Sequence, residues 1–243
     1  MFFGLFWGDW TILLLIPAMM FALWAQFKVQ STFHKYDKML SSSNLTGAEA
    51  ARRILDKNGI YDVRVERISG HLSDHFDPRT KVIRLSDSTY GSSSVAAIGV
   101  AAHEAGHAVQ HATGYAPIRF RQAIVPVTRF GSALAMPLFL IGLLLVGFGA
   151  INSSIGEYMM IGGILLFSLS TLFQLVTLPV EFNASSRALR ALEGGGVLEG
   201  RELRGARAVL SAAAMTYVAA LAASLAYLLR FIFIAAGASR RRR

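Results

Sequence analysis

Apolar residues in this chain gather into four long runs separated by polar stretches. The first covers residues 10–27, entered after Asp9 and left at Lys28; the others cover 131–150, about 158–178 and 215–237, the last apolar apart from Arg230. A helix needs ~20 such residues to cross a ~30 Å hydrocarbon core, so each run predicts a membrane span. The first reads as a retained anchor. It has no positive residue in front of it, and Trp24-Ala-Gln-Phe-Lys28 offers no small-residue cleavage site.

The polar stretch between the first two runs carries short-range signals of another kind. Thr46-Gly-Ala-Glu49 has capping-box spacing and predicts a helix that ends near Asn58-Gly59 with glycine as its cap. Val63-Arg-Val65-Glu66 alternates with period two. Asp77-Pro78-Arg79-Thr80 is turn chemistry, and Lys81, Val82, Ile83, Arg84 and Leu85 resume a strand, which predicts a small hairpin or a two-strand edge. Ser92 to Ser94 offer caps for a helix from Val95 to about Ala112.

Composition supports the membrane reading. Hydrophobic residues make up 53% and charged residues 16%, more apolar surface than a soluble fold hides without lipid. A net charge of +9 raises nucleic acid as a partner, but the 16 Phe lie mostly inside the apolar runs and the cations between them. A nucleic-acid face would place both together on a polar surface, so nucleic acid is excluded as the partner. Of 24 Lys and Arg, 14 lie between Lys28 and Arg129 and five between Arg187 and Arg207. The N-terminal segment and the connection 151–157 have none. Both polar regions are therefore expected on the cytoplasmic face. The basic tail 240–243 conflicts with a full fourth span, which predicts either a re-entrant segment or a local exception. With no cysteine, a metal site has only His, Asp and Glu to draw on.

Such a set is present in His103-Glu104-Ala105-Gly106-His107, an H-E-x-x-H sequence within the predicted helix. Residues four apart share a helical face, so both imidazoles reach one ion. Glu104 stands beside them, able to take a proton from a water that zinc has acidified. The neighbours Ala101, Ala102, Ala105, Gly106 and Ala108 are small, which lets another helix approach the same face. Catalytic zinc takes three protein ligands and keeps a fourth position open. His111 continues the series but sits ~6 Å further along the helix axis than His107. Thr113 occupies the position where a metzincin would need histidine. The His71/His75 pair sits in a loop with Asp74 and Asp77, where a polar hairpin loop is the simpler reading and a second metal site the alternative. Glu181 fits best. It is expected to open a polar helix directly after the third run and Pro179, and the hairpin of the two middle spans returns it to the face of His107. The alternative is an ordinary helix-start glutamate favoured by the macrodipole.

The H-E-A-G-H motif, two intervening spans and then L-P-V-E-F-N-A-S-S-R-A resemble the membrane-bound neutral zinc metallopeptidases of the YugP type, and more distantly HtpX-type and CAAX-type membrane endopeptidases. The match extends over Trp24-Ala-Gln-Phe27, the segment from Gly70 to Pro78 and Gly114-Tyr-Ala-Pro117. The resemblance implies His103, His107 and Glu181 as ligands of one zinc per chain and Glu104 as general base. HtpX relatives carry an Asp four residues after the ligand Glu; Ser185 stands there in this chain, leaving Ser185 or Asn183 to orient a ligand histidine. Residues 81–85 precede the motif helix as a substrate-pairing edge strand does in many zincins. Arg187, Arg190, Tyr217 and His111 are candidates for the donor to transition-state charge. For Arg230, a functional charge in a span and snorkelling at its end weigh equally.

The expected fold is mainly α, a multi-span helical membrane protein of about four spans with a small zincin-like α+β cytoplasmic unit. Its expected divisions are an anchor (1–28), a cytoplasmic region with the motif helix (29–130), a two-span hairpin (131–178), and a ligand helix followed by a C-terminal membrane segment (179–243). The expected function is zinc-dependent endopeptidase action on protein or peptide substrates, membrane proteins included, by an integral cell-membrane protein whose active site faces the cytoplasm. A non-catalytic scaffold retaining a structural metal site is the alternative, although a structural metal would not need Glu104. Transport fits poorly, since the spans contain almost no paired polar groups.

Overall fold

The computed structural model describes residues 10–147 and 153–240; the expected loop 151–157 and the tail 240–243 lie partly outside that range. The described chain is mostly helical, with four helices long and apolar enough to cross a membrane and one small sheet. It divides into two compact units. One comprises residues 1–24, 120–176 and 217–243; the other comprises 25–119 and 177–216.

The first unit holds the apolar parts of the four long helices, and its surface is inverted relative to that of a soluble protein. Leu23 is 69% exposed, Phe130 74% and Leu165 62%, side chains that only a lipid surround would shield. Inside it, Phe231 stacks on Phe139 at 4.5 Å and meets Phe167 edge-on at 5.1 Å, while the hydroxyls of Thr171 and Ser224 pair at 2.7 Å. The last helix, Gly200–Arg240, is unbroken, so it contains no turn at which a re-entrant loop could reverse.

The second unit is α+β. Helix Gly47–Lys57 starts on the expected box: Thr46 Oγ1 accepts the Glu49 amide, and Glu49 Oε2 accepts the Thr46 amide at 2.8 Å. It ends at Asn58, and Gly59 (φ +68°) supplies the left-handed residue that closes the turn. The helix that carries the H-E-x-x-H motif, Val95–Ala112, starts on Ser94, whose side chain accepts the Ala97 amide.

The sheet departs from the expected hairpin. Strands β1 (Arg64–Ile68), β2 (His75–Asp77) and β3 (Val82–Ser86) lie in the order β1-β3-β2, with β1 parallel and β2 antiparallel to β3. Residues 81–85 are therefore not an edge strand: Val82, Ile83 and Leu85 are fully buried, and both sides of β3 are paired. Asp74 completes the β2 side, accepting the Ser86 amide and hydroxyl at 2.8 and 3.0 Å. A strand buried on both faces carries consecutive apolar residues, as Val82-Ile83 does, instead of strict alternation. Its inner residues join Ile54, Leu55, Ile98, Ala105, Ala188 and Leu192 in one core.

Glu181 does not open a helix. It lies well inside a continuous helix, Ser153–Gly194, which runs through Pro179. At ~1.5 Å per residue those 42 residues extend ~63 Å, about twice the hydrocarbon thickness. One rod thus serves both as a span and as the carrier of Glu181, which removes the helix-start explanation for that carboxylate.

Candidate metal centre

Small residues along the motif helix let the Glu181 helix approach it backbone to backbone. A side-chain carbon added at Gly106 would stand 2.6 Å from the Ala184 carbonyl oxygen, closer than real contacts allow. That approach sets Glu181 between the two motif histidines. Its Oε2 is 3.2 Å from His103 Nε2 and 3.4 Å from His107 Nε2, and the three donor atoms lie within 4.8 Å of one another. A tetrahedral zinc with bonds of ~2.0–2.1 Å needs donors ~3.4 Å apart, which both oxygen–nitrogen separations match. The ligand side chains are nearly closed to solvent, at 14% for His103, 12% for His107 and 2% for Glu181.

Glu104 is buried next to this group at 8% exposure, and no hydrogen bond or ion pair holds it among the described residues. Burial by itself lowers the His107 pKa, but the hydrogen bond and charge of Glu181, the charge of Glu104 and the Gln110 hydrogen bond outweigh it and raise the value. The negative potential that favours a proton there equally favours a metal cation.

The far side of each imidazole is also engaged. His103 Nδ1 meets Ser185 Oγ at 3.1 Å, so the serine at the position of the relatives' Asp does contact a ligand histidine. His107 Nδ1 is 3.0 Å from Gln110 Oε1, and the Gln110 amide reaches the Val180 carbonyl at 2.8 Å and Asn183 Oδ1 at 3.0 Å. Gln110 was missed in the sequence. The available signal was a single polar side chain three residues after His107, next to Ala108 and Val109.

The other candidates are engaged as follows. His111 packs against Phe76 with ring centroids 5.9 Å apart and is outside the ligand group. Arg187 donates to Asn183 Oδ1 at 2.8 Å and lies over the Tyr115 ring, and Arg190 donates to the Ser186 carbonyl. Tyr217 is carried by the helix Gly200–Arg240. In the 71–77 loop each group has a partner of its own: His71 packs T-shaped with Phe33, Asp74 accepts from Ser86, His75 meets the Ser73 carbonyl, and Asp77 accepts from the Arg79 amide, Thr80 and Arg84.

Comparison with known proteins agrees with this geometry. Residues 11–236 match the model of a family described as "Putative neutral zinc metallopeptidase". The chain is 52% identical over 224 residues to the "Putative membrane protease YugP" of Bacillus subtilis (strain 168), covering 92% of this chain and 95% of that protein. No solved structure matches.

Proposed function

The chain belongs to the neutral zinc metallopeptidase family, and we propose that it is a membrane-integral endopeptidase that cleaves protein substrates, membrane proteins included, on the cytoplasmic side. The observation that carries this reading is the convergence of His103, His107 and Glu181, with the Glu181 oxygen 3.2 and 3.4 Å from the two imidazole nitrogens and Glu104 beside them.

A zinc ion held by these three residues supplies Lewis acidity, polarising the scissile carbonyl and lowering the pKa of water toward neutrality. Glu104 supplies the base. Its carboxylate takes a proton from the attacking water and passes it to the amine nitrogen as the peptide bond breaks. Ser185 and Gln110 orient the two imidazoles. The outer edge of β2 lies near the C-terminal end of the motif helix, where Phe76 packs against His111, and an extended substrate would add to the sheet there.

The cytoplasmic assignment rests on the basic residues near the span ends and on the folding of both polar regions into one unit. Tags in 28–130 and 181–210 should both report the cytoplasm; two external signals would overturn it. For the activity, chelation should abolish cleavage of an unfolded membrane-protein substrate presented in detergent, and added zinc should restore it. Cleavage by a metal-free preparation would sink the mechanism.

A further inference from the structure

Gln110 is fully buried, and the simplest account of it is a side chain that fills the core. Its bonding pattern says more, because two of the groups around it cannot reverse their roles. The Val180 carbonyl only accepts a hydrogen bond. The guanidinium of Arg187 only donates, so Asn183 must turn its Oδ1 toward Arg187 Nε, 2.8 Å away. Both facts require Gln110 to present its amide nitrogen on that side, where it donates to Val180 at 2.8 Å and to Asn183 Oδ1 at 3.0 Å. Its oxygen is then left facing His107 Nδ1 at 3.0 Å. An amide oxygen only accepts, so the proton of His107 sits on Nδ1 and the lone pair on Nε2. Nε2 is the atom 3.4 Å from Glu181 Oε2.

His103 has no such constraint. Its Nδ1 meets a serine hydroxyl, which donates or accepts as required. Gln110 also bonds to Val180 and Asn183, on either side of Glu181, and so ties the motif helix to the helix that carries the third ligand.

We infer that Gln110 is a positioning residue that fixes the His107 ring with its proton on Nδ1 and Nε2 free for the metal, its own orientation set by Val180 and by Arg187 acting through Asn183. The inference rests on the metal-site reading above and adds a residue to it. A core-filling role predicts that a similar apolar side chain would serve as well; a positioning role does not.

The test uses the full-length chain in detergent, with Gln110→Met as the apolar replacement and Gln110→Glu as the conservative one that keeps an oxygen against Nδ1. Zinc affinity is read by chelator competition, the His107 ring by nitrogen-resolved NMR of the zinc-loaded protein, and folding by the thermal transition of the zinc-free form. In wild type, His107 should coordinate through Nε2 and show a slowly exchanging Nδ1 proton. Gln110→Met should lose that protection and bind zinc ~10- to 100-fold more weakly, the range for removing such support. Gln110→Glu should retain the protected proton, although it gives up the donor to Val180 and Asn183. Coordination through Nδ1 in wild type would overturn the inference even if neither variant folds. So would a folded Gln110→Met with affinity within about twofold of wild type. A wild type that takes up no zinc would remove the parent reading too, and that result is seen before any variant is made.

Discussion

The loop at residues 71–77 and the helix pair bearing residues 103, 107 and 181 hold similar chemistry in the same unit. Each offers two histidines and nearby carboxylates. In the loop, His75 and Asp77 bond within or beside their own turn, as Asp77 does with the Arg79 amide and with Thr80, and Asp74 bonds across to Ser86. In the helix pair, regular helices satisfy their own backbone, so side chains from two rods are free to point at one another. Three donor atoms from the two helices then lie within 4.8 Å of one another. Proximity in sequence thus marks the loop as self-contained, and a sequence separation of 78 between His103 and Glu181 marks a site built by tertiary packing.

The largest expected contrast is in metal content. His103→Ala or His107→Ala should reduce bound zinc from close to one per chain to almost none, while His71→Ala and His75→Ala leave it unchanged. Equal losses from both clusters, measured by elemental analysis, would erase the distinction.

A smaller effect should follow from moving the two rods apart. Gly106→Ala places a methyl group against the Ala184 carbonyl, and overpacking of this kind costs ~1–3 kcal/mol. The resulting displacement of Glu181 should lower turnover by ~10²-fold, the scale for a misplacement of ~1 Å. Unchanged turnover would mean that the close approach does not set the ligand position.

The loop should show its self-contained character in acid. The Thr80 hydroxyl, the Arg79 amide and the Arg84 guanidinium hold the Asp77 carboxyl below its ordinary 3.8, at about 2. A depressed carboxyl contributes stability that is full above its unfolded value and fades as pH falls through the folded one. Unfolding measured across that window should steepen for wild type and flatten for Asp77→Asn, with bound zinc unaffected at neutral pH. Identical slopes would show that these contacts do not persist in solution.

Much of this arrangement is legible in local pattern. Thr46 and Glu49 mark one helix start and Ser94 another, and H-E-x-x-H places two ligands on one face of the second helix. The third member of the cluster is legible as Glu181, but its setting is not. Pro179 reads as a break, whereas in a membrane helix a proline can be carried within a continuous rod because neighbouring helices and side chains compensate for the lost bond. The strand order is equally hidden, because the parallel β1–β3 pairing is decided by packing between separated segments. Gln110 was invisible for the same reason. A polar residue in an apolar helix has no stated partner until Val180 and Asn183 are brought beside it.

The central claim is that Glu104 is the base at a metal held by other residues, and Glu104→Gln addresses it most directly. The change keeps size and shape but removes the basic carboxylate. Hydrolysis of an unfolded membrane-protein substrate should fall at least ~10²-fold while zinc content stays at the wild-type level. The matched Glu181→Gln variant should lose zinc as well as activity, because a neutral amide is a poor substitute for an anionic ligand. Full activity in Glu104→Gln, or loss of its zinc, would contradict the account. Wild-type protein that carries zinc yet cleaves nothing across a panel of unrelated substrates would leave the scaffold as the better description.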